Sequence, residues 1–225
     1  MAAAMKGPEL PRYFFRQALE ITWLAIVFLI PLFFNPESNQ VFVLNKAALL
    51  QFLVITMLAF WVADWLSTRT GSEKFSWHDI SASPLHLTIL IFGVIAVAAT
   101  IMSIMPGISF WGSYYRKAGL LNLLCWIVFF LILAQGIKSR TQLFRIIYAL
   151  LSSSAIVSIL GILQYFFPEF FSVLFNWPYN GRVFSTVGNP LFLSSFLSMV
   201  IPFSLAMIIY GWSQRKQGYS IKLLV

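Results

Sequence analysis

From about Ala18 to Trp212 the chain is a series of long apolar runs broken by short polar stretches, and runs of that length admit few folds. The core of a bilayer holds no water to pair with exposed backbone groups, so a spanning segment must satisfy its N–H and C=O groups as a helix or within a closed barrel. A helix needs roughly 20 mostly apolar residues to cross. None of the runs shows the strict alternation of barrel strands. Composition points the same way: with 60% hydrophobic and 10% charged residues and a mean hydropathy of +0.84, the apolar surface exceeds what a soluble core of 225 residues buries. The expectation is an all-α membrane protein, a polytopic helical bundle of about six transmembrane helices.

The six runs lie near Ala18 to Phe34, Val41 to Leu66, Leu85 to Met105, Gly119 to Gln135, Thr141 to Phe167 and Pro190 to Trp212. The first is closed by Asn35-Pro36 and has no small-residue cleavage site after it, so it reads as a retained span and not a signal peptide. Pro106-Gly107 ends the third, and Pro168 to Asn189 forms the long segment between the fifth and sixth. Ser154, Ser158, Gly161 and Tyr165 share a face of the fifth helix, as Ser194, Ser198 and Pro202 do on the sixth; small residues at that spacing predict close helix packing in lipid. No fixed-period repeat occurs, so residues 1–225 read as a single transmembrane domain. After Arg215-Lys216 the stretch Tyr219 to Val225 resembles the opening of a seventh span, which predicts that the chain is the N-terminal part of a longer domain.

Basic residues set the orientation. With the N-terminus in the cytoplasm, Lys6, Arg12, Arg16, Arg69, Lys74, Lys138, Arg140, Arg145, Arg215, Lys216 and Lys222 fall inside, eleven of the fifteen. The net charge of +8 is therefore mainly a topology signal and not a nucleic-acid footprint. Lys46, Arg116, Lys117 and Arg182 fall outside, against that bias.

Motifs of soluble enzymes are missing: there is no Walker loop, GxGxxG, HExxH or CxxC, and Cys125 has no second cysteine to pair with. No metal site and no cofactor is expected. His78 and His86 are both placed near the cytoplasmic face as ordinary interfacial residues, so neither serves as a base for chemistry on the outer side.

The four outer cations each admit two readings. Lys46 lies about a turn inside the second helix, where a charge at mid-bilayer costs roughly 2.5–3.5 kcal/mol, so it snorkels outward or finds an anion. Arg116 and Lys117 follow Phe110-Trp111-Gly112-Ser113-Tyr114-Tyr115, either as the cationic edge of an aromatic belt or as part of a site. Arg182 either pairs with Glu169 or lies solvated on its loop, or it faces an anion. The last reading draws on its surroundings, GRVFSTVGNP from Gly181 to Pro190. Asn189 before Pro190 marks a helix start, with an amide oxygen to cap free N–H groups and a proline with no N–H to lose. That start would aim unpaired N–H groups and its positive dipole end at the loop carrying Arg182, Ser185 and Thr186, where a phosphate would be at home.

The run Arg182-Val183-Phe184-Ser185-Thr186-Val187-Gly188-Asn189-Pro190 resembles the R-x-F-S-T-x-G-N-P-N signature of the bacterial O-antigen ligase and O-antigen polymerase family. Ser109-Phe110-Trp111-Gly112-Ser113-Tyr114-Tyr115-Arg116-Lys117-Ala118-Gly119 is similar to its S-x-W-G-x-Y-x-R-x-x-G segment, and Phe42 to Lys46 to its F-x-x-P-K entry to the second span. This chain has Leu191 where the family has a second asparagine and Asn45 where it has the proline. The resemblance implies a C-type glycosyltransferase-like membrane protein of the bacterial inner membrane. It would transfer a glycan from undecaprenyl diphosphate to an acceptor glycolipid, glycan or protein on the outer face. Carried over by position, Arg182 and Arg116 would hold the diphosphate with Lys46 adding charge, and Ser185, Thr186 and Asn189 would support the loop. The family's histidine and arginine for catalysis lie in a later loop with no counterpart here, so the catalytic residues stay unknown and this stretch alone would bind the carrier without activating the acceptor. The competing class is a non-catalytic membrane protein, either a transporter or a carrier-lipid binding module; against a transporter, no paired broken helices are evident.

Overall fold

The computed structural model describes residues 9–68, 84–176, 178 and 181–216, with no strand among them. Lys6, Arg69, Lys74, His78, Lys222 and the stretch Tyr219 to Val225 lie outside the described residues, as do the side chains of Arg12, Arg215 and Lys216. Eight α-helices are described: α1 (Glu9–Leu32), α2 (Val43–Thr68), α3 (Pro84–Ile101), α4 (Pro106–Trp111), α5 (Leu120–Gly136), α6 (Arg140–Phe166), α7 (Pro168–Phe175) and α8 (Pro190–Lys216), with a 3₁₀ turn at Ser185–Val187.

Five helices, α1, α2, α3, α6 and α8, are long and apolar enough to cross a bilayer, which makes this a multi-pass membrane protein. The sixth expected span, α5, has 17 residues, about 25 Å at 1.5 Å per residue, and falls roughly a turn short of the usual crossing length. Pro106 does not simply end a helix. α3 stops at Ile101, and Pro106 opens the short α4 at a first-turn position where its missing N–H costs nothing.

The chain divides into two compact units. The first comprises residues 1–26 and 47–138. Within it α3 and α5 pack along each other, with Gly93 facing the Ile127 side chain, and α4 folds back onto both. Trp23 is buried against Gly136, where any side chain would run into the indole ring. Arg16 and Asp64 form an ion pair at 3.7 Å between α1 and α2. The arginine side chain is 45% exposed and the aspartate 19%, so the pair is partly withdrawn from solvent.

The second unit comprises residues 27–46 and 139–225. α6 starts cleanly: Ser139 Oγ accepts from the Gln142 N–H and the Gln142 side chain accepts from the Ser139 N–H, a reciprocal cap. α6 and α8 pack side by side, with the rings of Phe144 and Tyr210 at 5.2 Å. The buried face of α6 is Ser153, Ser154, Val157, Gly161 and Gln164, so the expected stripe is rotated: Tyr165 is exposed. On α8 the buried residues are Leu193 and Val200, and Ser194, Ser198 and Pro202 are exposed.

Around the ends of these helices Val41, Phe42, Phe171, Phe175 and Phe184 form a buried cluster, joined by Phe34 and Leu160. Its rings meet edge to face, Phe34 and Phe175 at 4.8 Å and Phe42 and Phe184 at 5.7 Å. Such pairs add about 0.5–1.5 kcal/mol each beyond their burial. The cluster ties three separate stretches together: the turn after α1, helix α7 and the loop before α8.

Candidate functional site

The loop from Gly181 to Asn189 lies on α6 in the second unit, and its polar groups are mostly turned inward. Ser185 is fully buried, and its Oγ donates to the Val157 carbonyl at 2.7 Å. Its φ of +49° is the left-handed conformation that costs a non-glycine residue about 1–3 kcal/mol. Two bonds hold it there. Gln164, fully buried near the end of α6, places one amide oxygen against two backbone donors, the N–H of Phe184 at 3.0 Å and that of Ser185 at 2.8 Å. Two N–H donors on one atom identify it as the oxygen. The Gln164 Nε2 group is buried with no partner among the described residues. Gly161 allows the close approach, since a side chain there would press on Val183.

Thr186 is also buried, and its Oγ1 donates to the carbonyl of Pro31 at 2.9 Å. The same oxygen accepts from Lys46 Nζ, again at 2.9 Å. It is one of the carbonyls at the C-terminal end of α1 that the helix itself leaves without a donor. Normally the Asn35 N–H would reach it, but that group donates to Val41 at 3.0 Å as the chain turns. A carbonyl dipole thus takes one of the three donors of Lys46. Asn45, standing where a proline was the alternative, makes the turn by another route, its Nδ2 donating to the carbonyls of Gln40 at 2.8 Å and Val41 at 3.1 Å.

Asn189 caps α8, with Oδ1 accepting from the Leu191 N–H at 2.8 Å and the backbone carbonyl accepting from Leu193 at 2.9 Å. The cap uses one of the N–H groups expected for an anion, and Pro190 has none, so the helix start offers its dipole more than its donors. Gly188, at φ +86°, turns the chain into this cap directly above the Phe42 ring, which a side chain would strike.

The structure therefore brings Lys46 and Thr186 to one oxygen, with Ser185 buried beside them in sequence. Arg182 is exposed, with no hydrogen bond or ion pair among the described residues and none to Glu169. It stands four positions before Thr186 with three residues between, so the two Cα atoms lie within about 14 Å by chain reach. Arg116 belongs to the first unit, exposed on a loop of its own. That loop closes where Gly112, at φ +79°, meets Gly119 backbone to backbone. Lys117 sits beside Arg116 in a left-handed conformation, both N–H groups folding back to the Ser113 carbonyl. His86 lies in α3 beside the Phe130 ring, with neither ring nitrogen partnered among the described residues. Gln164 and the Pro31 carbonyl carry the geometry of the loop and were not anticipated. The signal for Gln164 was a lone amide near the end of a 27-residue apolar helix, expensive in lipid unless bonded.

No family model, no curated protein and no solved structure matches the chain.

Proposed function

We propose that the second unit binds the diphosphate of a lipid carrier at Arg182 and Lys46, as part of a membrane glycosyltransferase of the O-antigen ligase and polymerase type. The complete protein would move a glycan from undecaprenyl diphosphate to an acceptor glycolipid, glycan or protein on the outer face of a bacterial inner membrane. The observation that supports this reading is the division of labour within the loop. Gln164, Ser185 and Thr186 direct their hydrogen bonds into the scaffold, and the one guanidinium of the loop is left exposed and without an ion pair among the described residues. A cation on a loop fixed in advance needs no reorganisation when charge develops on a departing diphosphate, which is electrostatic work done without a metal. A guanidinium suits it because its forked donors match phosphate oxygens in pairs. Lys46 keeps two donors beyond the one held by Pro31, and the α8 dipole adds roughly 0.3–1 kcal/mol for a nearby anion.

The test is glycan transfer by the complete protein in membranes. Arg182→Ala is expected to abolish transfer while insertion stays intact, and Arg182→Lys to restore part of it. Full transfer by the alanine variant would remove Arg182 from the mechanism.

A further inference from the structure

Helix α7 is apolar on the side away from the core as well as on the side toward it. Phe171 and Phe175 point inward and are buried in the phenylalanine cluster. On the outer side Val173 is 83% exposed and Phe170 65%, flanked by exposed Phe167 and Leu174, with Glu169 the one charge on the helix. A helix whose outer side met water would carry polar residues there. The position along the chain says what covers it. α6, a helix of membrane-crossing length, ends at Phe166, and α7 starts two residues later at Pro168. The exposed rings of Tyr165 and Phe166, 5.4 Å apart, continue the same apolar surface back onto the last turn of that span. Aromatic residues gather at the ends of spans, where ring bodies sit among acyl chains at headgroup level.

We infer that α7 is an interfacial helix lying at the acyl and headgroup boundary, with Phe167, Phe170 and Val173 in contact with lipid. Its occupant is the bilayer, and the inference stands independently of any diphosphate at Arg182. Both ends are tied down, by proline at the first helical position and by Asn176 in a left-handed cap whose Nδ2 donates to the Pro36 carbonyl at 3.2 Å. The inner side touches Phe34, Phe42 and Phe184. Lipid pressing on the outer side therefore bears on the same cluster that holds the residue before Ser185.

The test uses nitroxide labels on the purified full chain in phosphatidylcholine vesicles. Cys125 is replaced, with Cys125→Ala and Cys125→Val as alternative backgrounds, and single cysteines are introduced as Phe170→Cys and Val173→Cys, both exposed positions that leave the core untouched. Phe203→Cys in mid-α8 gives the lipid-facing reference and Ser113→Cys the loop reference. Labels at 170 and 173 are expected to give an oxygen-to-nickel collision ratio between those at 203 and 113, as a position at the boundary of acyl chains and headgroups does, with collision with a water-soluble nickel chelate several-fold below that at 113. Nickel collision equal to that at 113 would overturn the inference. So would low collision with both reagents, the mark of a face covered by protein.

Discussion

Gln164→Met removes an acceptor from two buried N–H groups while preserving side-chain volume. Each orphaned donor costs about 1–3 kcal/mol, so the intact loop loses about 2–6 kcal/mol. If the loop lets go of α6, water reaches both donors and Ser185 relaxes from φ +49°, returning about 1–3 kcal/mol of strain. That strain is released in the unmutated protein as well and cancels between the two, so the balance moves toward the released loop by the orphaning cost, about 2–6 kcal/mol, which at 1.4 kcal/mol per factor of ten is a rise in its population of more than about tenfold. Hydrogen exchange followed by mass spectrometry reads this directly in the peptide containing Phe184 and Ser185. Exchange there should accelerate by that factor while the amides of the first turns of α6 keep their protection, which separates local release from unfolding. Gln164→Glu keeps an oxygen in place and should keep the loop protected. Unchanged exchange in the methionine variant would refute the claim that this amide sets the loop.

Further outcomes follow from the same geometry. Asn189→Ala should lower stability by about 0.5–2 kcal/mol through loss of the α8 cap, seen as a lower Tm in detergent, and Asn189→Asp should restore it. On the diphosphate reading that aspartate variant is stable yet binds the carrier lipid more weakly, because its charge opposes an anion at the helix start. Gly188→Ala combines a left-handed backbone with a collision against Phe42 and should destabilise by more than about 1 kcal/mol in the same melting assay. For orientation, cysteines introduced at Ser113 and Ser139 should react with an impermeant reagent from the outer and inner sides respectively; the reverse pattern would invert the proposed topology.

Much of the fold was readable because length and apolarity alone nearly determine a membrane helix, and the start of α8 because Asn189-Pro190 encodes its own cap. The short helices were not. Pro168 to Asn189 reads as a connecting segment, yet Phe171 and Phe175, four residues apart behind a proline, find a shared cluster with Phe34 and Phe42 that no local rule announces. The expected packing rows are met only in part: on α6 Ser154 and Gly161 are buried and Tyr165 is exposed, and on α8 Ser194, Ser198 and Pro202 are all exposed. Small residues permit close packing but do not compel it, and here a loop, not a helix, occupies the groove at Gly161. Ser185 and Thr186 look from their sequence like donors for a ligand; tertiary contacts turn them toward Val157 and Pro31.

The Pro31 oxygen accepts two donors drawn from segments far apart in the chain, Lys46 and Thr186. An acceptor held twice can lose one partner without being stranded. Either donor can leave while the other stays behind, so the end of α1 remains latched. Two segments more than a hundred residues apart are thereby fastened to one helix end at a single atom.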